Sequence, residues 1–292
     1  MRRNFLKIYK IKANAKINIG LNILGKAENG YHLLDMTMLP ISYYDTLRIQ
    51  VFSQKGGLHI FCKDRSIPRD KRNILFKIYE KFYQWTQIEP EKIKISLRKN
   101  IPSEAGLGGG SSDGAFFLKF LNTYYSYPLS KEELFWLAFE VGSDLPFFLK
   151  NMASRVEGTG EKITPFFHQS KQKILIFKPK FGFSTKEAYE LSDAYSTIKM
   201  ADIPLIIQGL KEGNIQEKEE NISNHLEEVL LLHKKELKKL KEKIEKYTRK
   251  KTFMTGSGSA YYIFLEEKYA YSIRRKCKKY FKDCKVQLCN FL

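Results

Sequence analysis

The run Ile101-Pro102-Ser103-Glu104-Ala105-Gly106-Leu107-Gly108-Gly109-Gly110-Ser111-Ser112-Asp113 lies between two apolar segments, strand-like Ile95-Ser96-Leu97 and helix-like Ala115-Phe116-Phe117-Leu118. A strand that enters a helix through so many glycines can turn sharply, and no Cβ keeps its backbone N–H groups from converging on an anion. The start of the helix adds unpaired donors and the positive end of a dipole. The run therefore predicts a loop that cradles phosphate. A flexible linker or plain tight turn would not be bracketed by two apolar elements. Two familiar glycine loops are excluded. A P-loop needs Gly-Lys followed by Ser or Thr, and no Lys lies between Ile101 and Leu118; a dinucleotide fingerprint needs Gly in sixth place, where counting from Gly106 finds Ser111.

At 292 residues the chain exceeds the usual domain size of about 100 to 150 residues, so two domains are expected. No apolar run reaches the roughly 18 residues that span a bilayer, which predicts a soluble protein with no membrane partner. Lys and Arg total 51 against 32 acidic residues, a net charge of +19. That excess suits nucleic acid, an anionic membrane face or a polyanionic small molecule, and charge alone does not choose. Much of it sits in Lys234 to Lys251. Apolar residues Leu226, Val229, Leu230, Leu237, Leu240, Ile244 and Tyr247 recur at helical spacing from just before that segment into it, which reads as a helix with a solvated face. Cys62, Cys277, Cys284 and Cys289 form no Cys-x-x-Cys pair and the His residues are scattered, so no metal site is expected. Few cysteines in a long chain fit a reducing cytoplasm.

From Ala15 the chain alternates Lys16, Asn18, Gly20 and Asn22 with Ile17, Ile19, Leu21 and Ile23, the pattern of a strand with one buried face. Lys16 and Asn18 then lie side by side. Asn29-Gly30 marks a turn, Thr46 to Val51 alternates again, and a helix from Asn73 to about Thr86 precedes a strand over Ile93 to Leu97. Ser130 and Glu133 form a capping box for a helix that should end near Gly142, a natural C′ residue. Ser143-Asp144-Leu145-Pro146 then opens a short further turn. The domain boundary is placed near Glu157-Gly158-Thr159-Gly160, giving 1–160 and 161–292. Beyond it the expected order is strand (Lys173 to Phe177), helix from Thr185, helices between Ile203 and Tyr247, strand, Gly-Ser-Gly-Ser, strand, helix and a last strand.

Ala15-Lys16-Ile17-Asn18, the Pro102 to Ser112 loop and Thr255-Gly256-Ser257-Gly258-Ser259-Ala260 together resemble the three motifs of the GHMP small-molecule kinases. Gly30-Tyr31-His32, Asp45-Thr46, Gly142 through Phe148 and Pro179 through Thr185 resemble the branch of that family whose acceptor is a cytidine-diphosphate-linked methylerythritol. The likeness runs nearly the whole chain in the expected order. It implies a two-domain α/β (α+β) kinase, with an N-terminal domain like domain two of ribosomal protein S5 and a ferredoxin-like C-terminal domain. It implies transfer of the ATP γ-phosphate to the 2-hydroxyl of that polyol, in the non-mevalonate route to isoprenoid precursors.

By the same resemblance Asp144 is the general base and Lys16 stabilises the transferring charge. Pro102, Ser103, Glu104, Ala105, Gly106, Leu107, Gly108, Gly109, Gly110, Ser111 and Ser112 wrap the ATP phosphates, Gly256 and Gly258 close over them, and Mg²⁺ is held indirectly. Tyr31 and Phe183 stack on the cytosine, His32 reads its edge, and Asn18 and Thr185 touch the acceptor. By residue type alone, Asp144 reads as a helix cap, Lys16 as a strand-edge lysine, and Tyr31 and Phe183 as core aromatics. Asn14 stands where the family commonly has Pro, and Gly114 where it commonly has Ala; neither removes a chemical group. A kinase acting on homoserine, mevalonate or a sugar is the alternative within the family, and a basic nucleic-acid-binding module the alternative outside it. The expectation is no specific nucleic acid partner, and a monomer or weak homodimer.

Overall fold

The structure is a computed structural model and describes residues 6–195 and 198–292. They pack as two compact units, each assembled from separated stretches of chain. The first holds the chain up to Ala15, Tyr43–Ile101 and Gly109–Lys150; the second holds Lys16–Ser42, Pro102–Gly108 and Asn151–Leu292.

β1 (Leu6–Lys26) pairs with β2 (His32–Lys55), and β1 leaves the first unit after Ala15 while β2 enters it at Tyr43. In that unit β3 (Leu58–Cys62), α1 (Ile74–Thr86) and β4 (Glu91–Arg98) form a βαβ crossover. β3 and β4 run parallel, with Leu58 opposite Ile93, and parallel neighbours need such a crossover because a tight turn cannot join them. β4 lies antiparallel to the second half of β2, Thr46 facing Arg98. The side chain of Asn73 accepts from Leu75 N to start α1, whose buried Leu75, Ile78, Tyr79, Phe82 and Tyr83 follow helical spacing along one face. α2 (Gly109–Tyr124), α3 (Lys131–Val141) and α4 (Leu145–Lys150) complete the unit. The Ser130–Glu133 capping box is formed in both directions. Gly142 ends α3 with φ 173°, extended and not left-handed as a C′ glycine would be. Close packing bears on its lack of a side chain, since a Cβ there would lie 3.0 Å from Leu145 Cδ1.

In the second unit β5 (Ser154–Gly158) and β6 (Lys162–Pro165) make a hairpin on the first half of β2, Leu34 facing Gly158. Gly160, where the sequence divides the chain, lies in its turn. Then follow β7 (Lys173–Pro179), α5 (Thr185–Ser192), α6 (Ile203–Glu212), a 3-10 turn (Ile215–Asn221), α7 (His225–His233), α8 (Lys235–Thr248), β8 (Phe253–Met254), β9 (Tyr261–Leu265), α9 (Glu267–Tyr280) and β10 (Cys284–Asn290). The order β10-β7-β9-β8, antiparallel throughout, is the βαββαβ arrangement of a ferredoxin-like sheet. All five residues of β9 are buried, as a central strand covered on both faces requires. α8 buries Leu237 and Ile244 and carries its lysines outward except Lys241, which donates to buried Glu227 at 2.6 Å. Among the described residues no helix is long and apolar enough to cross a membrane.

Candidate active site

β1 departs from the pattern its alternation predicts. Both faces are buried from Ala13 to Asn22, so Lys16, Asn18 and Asn22 lie inside with 2 to 4% exposure. Buried polar groups demand partners, and these three have them. Lys16 Nζ donates to Asn18 Oδ1 at 2.5 Å, Asn18 Nδ2 to Met36 Sδ at 3.1 Å, and Asn22 pairs both ways with the Ala201 backbone. The strand itself is stitched to two loops of the same unit: Lys16 N–H donates to Leu107 O at 3.0 Å and Asn18 N–H to Thr255 Oγ1 at 3.0 Å.

Those two loops are the glycine motifs. Glu104, Gly106 and Gly108 take φ of 48°, 68° and 67°, while Ala105 and Leu107 between them stay outside the left-handed region. Such alternation turns successive N–H groups inward into an anion-binding concavity. Buried Ala105 and Leu107 anchor its underside. Gly106 is obligatory, since a Cβ there would lie 1.9 Å from Thr255 O. Thr255 Oγ1 donates to Gly106 O at 3.1 Å, and Ser259 ties two further strands of chain, its N–H donating to Glu104 O at 3.1 Å and its hydroxyl to Phe181 O at 2.7 Å. Gly256 packs beside Gly106 and Asn18 Oδ1. The second unit thus brings Lys16, Asn18, the loop up to Gly108 and the Gly256–Gly258 loop together.

In the first unit α2 begins at Gly109, with Gly110 exposed and Ser111 half-buried in its first turn. Ser112 is fully buried, and its hydroxyl donates to Asn14 O at 2.6 Å, away from any open surface. One turn on lies a charge cluster that the sequence reading did not single out. Lys99 Nζ donates to Asp113 Oδ2 at 2.7 Å and also to Asp45, whose Oδ1 accepts from Asn100 N–H at 2.5 Å and Ile101 N–H at 2.9 Å. Burial, with Asp45 beside it, raises the Asp113 carboxyl to about 7 against the pull of Lys99. Burial lowers the Lys99 ammonium, but Asp113 and Asp45 outweigh it and leave it raised. Its traces in sequence are a lysine just ahead of the loop and an aspartate one turn into the helix. Asp144 is half-buried immediately before α4.

The expected acceptor residues lie in the second unit and are arranged differently from a simple sandwich. Tyr31 is 66% exposed. His32 stacks on Tyr189 at 4.7 Å and pairs through Nε2 with Asp193 at 2.8 Å, and Lys26 holds the same carboxylate at 2.7 Å. Phe183 lies 5.6 Å from Phe181, with the Lys234 ammonium 5.2 Å above its ring. Thr185 opens α5, and its hydroxyl lies 3.0 Å from that of Ser257. Among the described residues no ring contact joins Tyr31, His32 and Phe183 to one another, although a cleft of about 350 Å³ opens beside His32 between Lys26, Asp193 and His225. No group of three or more His, Cys, Asp or Glu among them is placed to hold a metal. Mg²⁺ that arrives on a triphosphate keeps most of its ligands from phosphate and water and asks little of the protein.

Comparison with known proteins agrees with this geometry. The description "GHMP kinases N terminal domain" matches residues 73–151 and "GHMP kinases C terminal" residues 206–283. A Fusobacterium nucleatum protein named 4-diphosphocytidyl-2-C-methyl-D-erythritol kinase is 46% identical over 286 residues, 97% of each chain. One of the same name from Clostridium acetobutylicum is 36% identical over 93% of this chain and 98% of its own. A crystal structure of 4-(cytidine 5'-diphospho)-2C-methyl-D-erythritol kinase aligns with TM-score 0.77 at 26% identity, over 97% of this chain and 99% of that one. Homoserine kinase from Cytophaga hutchinsonii, at 14% identity and TM-score 0.68 over 95% and 94% of the two chains, shares the fold. Identity this high, sustained along nearly the full length of both chains, makes the assignment: the chain belongs to the GHMP kinases.

Proposed function

We propose that this kinase transfers the γ-phosphate of ATP to the 2-hydroxyl of 4-(cytidine 5'-diphospho)-2-C-methyl-D-erythritol, a step of non-mevalonate isoprenoid precursor synthesis. The observation that carries the phosphate half is the run of alternating φ from Glu104 to Gly108, pinned to the strand that bears buried Lys16. The acceptor rests on the names of the full-length relatives. Phosphoryl transfer needs alignment and charge compensation more than covalent chemistry. Asp144 accepts the proton of the attacking hydroxyl as its oxygen bonds to the γ-phosphorus and the bond to the ADP oxygen breaks. Lys16 offsets the charge that builds on the transferring group, and Asn18 holds the ammonium in place at 2.5 Å. Gly109, Gly110, Ser111 and the backbone of Ser112 extend the phosphate cradle onto the start of α2, and Gly256 and Gly258 cover it. Mg²⁺, bound with the triphosphate, supplies further charge compensation. Tyr31, His32 and Phe183 hold the cytidine end, which requires Tyr31 and Phe183 to close on the base from the arrangement described above, and Asn18 and Thr185 touch the same substrate.

The division into 1–160 and 161–292 is part of the same proposal, supported by family matches that fall on either side of Gly160. So are a cytoplasmic location and a monomer or weak homodimer. The test is ATP consumption with the cytidine-linked polyol beside homoserine and mevalonate, with the product identified by mass. Phosphorylation of the cytidine-linked polyol alone is expected. Turnover of homoserine or mevalonate in its place would overturn the acceptor assignment.

A further inference from the structure

The loop Pro102–Gly108 departs from the first unit at Ile101 and rejoins it at Gly109, so the two residues form the neck of the loop. They touch: a Cβ on Gly109 would lie 2.8 Å from Ile101 Cγ2 and 3.4 Å from Lys99 Nζ. Bringing the ends of a flexible loop together costs entropy, which contacts at the neck must offset. Asp45 holds one side through the N–H groups of Asn100 and Ile101, Asp113 holds the other from one turn into α2, and Lys99 bonds to both.

This is a poor device for stability alone. Two carboxylates on one buried ammonium carry a desolvation cost that apolar side chains of the same volume would avoid. One oxygen of Asp113 is also buried without a partner. What the cluster gives is geometry: directional, charge-assisted hydrogen bonds that fix where the first turn of α2 stands relative to Asn100 and Ile101. We infer that Asp45, Lys99 and Asp113 form a clasp that closes the neck of the phosphate loop, and that Asp113 is a positioning residue for ATP through its hold on the start of α2. The inference rests on the reading of this loop as the ATP site.

The experiment uses the full-length chain. Asp113→Ala releases α2 while leaving Lys99 and Asp45 paired one to one. It should raise the KM for ATP about ten-fold, with the acceptor KM within about two-fold. Asp113→Asn keeps an oxygen for Lys99 and should restore the ATP KM to within about three-fold of wild type. If the alanine variant does not fold, Asp113→Ser, too short to reach Lys99, carries the same expectation. An unchanged ATP KM in the variant without the contact overturns the clasp. So does a parallel rise of both KM values together with a lower melting temperature, the mark of a purely structural residue. Calorimetric titration of wild type with MgATP separates the two readings: no binding removes the ATP site itself, while equal binding by wild type and variant removes only the clasp.

Discussion

Replacing Gly106 by Ala tests whether the phosphate loop is locked against its neighbour or only lies near it. The added Cβ would sit 1.9 Å from Thr255 O and 2.8 Å from its carbonyl carbon. Non-bonded heavy atoms settle at about 3.5 Å, so the two backbones must part by roughly 1.5 Å. That parting breaks the 3.1 Å bond from Thr255 Oγ1 to Gly106 O and strains the one from Asn18 N–H to Thr255 Oγ1, each worth about 1 kcal/mol. Holding an L side chain at φ 68° adds about 1 kcal/mol. A variant that relaxes these costs gives up the alternating φ pattern, and binding must restore it. The sum of about 3 kcal/mol corresponds to roughly a hundred-fold loss of ATP affinity. Calorimetric titration with MgATP, well below the melting temperature, measures it. Gly57→Ala, where nothing lies within 4 Å, serves as control. A Gly106→Ala protein that binds ATP within about three-fold of wild type refutes the lock.

Asp144→Asn should cut turnover by about a thousand-fold, within the range for loss of a general base, while ATP binding stays within a few-fold; near-normal turnover would remove that role. Because burial raises the Asp113 carboxyl to about 7, the folded chain keeps a proton that the unfolded chain loses near pH 4. That contribution to stability is full below about pH 4 and is lost as pH rises through 7. The charged groups facing Asp113 are Lys99 and Asp45. The stability of Asp113→Asn relative to wild type should therefore rise by about 3 kcal/mol from pH 5 to pH 8 in denaturant unfolding, and a constant difference would contradict the shift. Ser112→Ala should cost about 1 to 2 kcal/mol by the same measurement, from the lost bond to Asn14 O, yet leave the ATP KM within about two-fold. A large KM effect would show that the hydroxyl serves the phosphates.

Local signals were legible wherever one side chain decides the matter within a turn of its own position. Asn73 starts α1, and Ser130 with Glu133 starts α3, as their spacing predicts. The order of strands and helices in the second half was legible from apolar runs, whereas the ferredoxin-like topology was expected only from the resemblance to the GHMP kinases. The sharp turn of the glycine loop was legible because glycine clusters between a strand and a helix where the backbone must take positive φ, as Gly106 and Gly108 do. Alternation over Lys16, Asn18 and Asn22 predicted one wet face, and failed because loops from far along the chain cover that face. Lys99 was invisible for the same reason: Asp45 lies 54 residues before it, and no local pattern marks the pair. Ser112 looked identical to Ser111 in sequence, and only its place on the helix turns it toward Asn14.

The stitching of β1 to the loops has a consequence for the order of events during synthesis. Asn18 N–H meets Thr255 across 237 residues, and the Tyr262 hydroxyl meets Asn18 O across 244. Contacts so distant in sequence are slow to form, and at about 5 to 20 residues per second the ribosome takes many seconds to deliver the second partner. The strand that bears Lys16 is among the first segments made, yet it waits for nearly the whole chain before its polar face is sealed. Until then an ammonium and two amides destined for the interior stay solvated. A nascent or truncated chain that stops short of Thr255 therefore lacks the partner that Asn18 needs, whatever the state of its other elements.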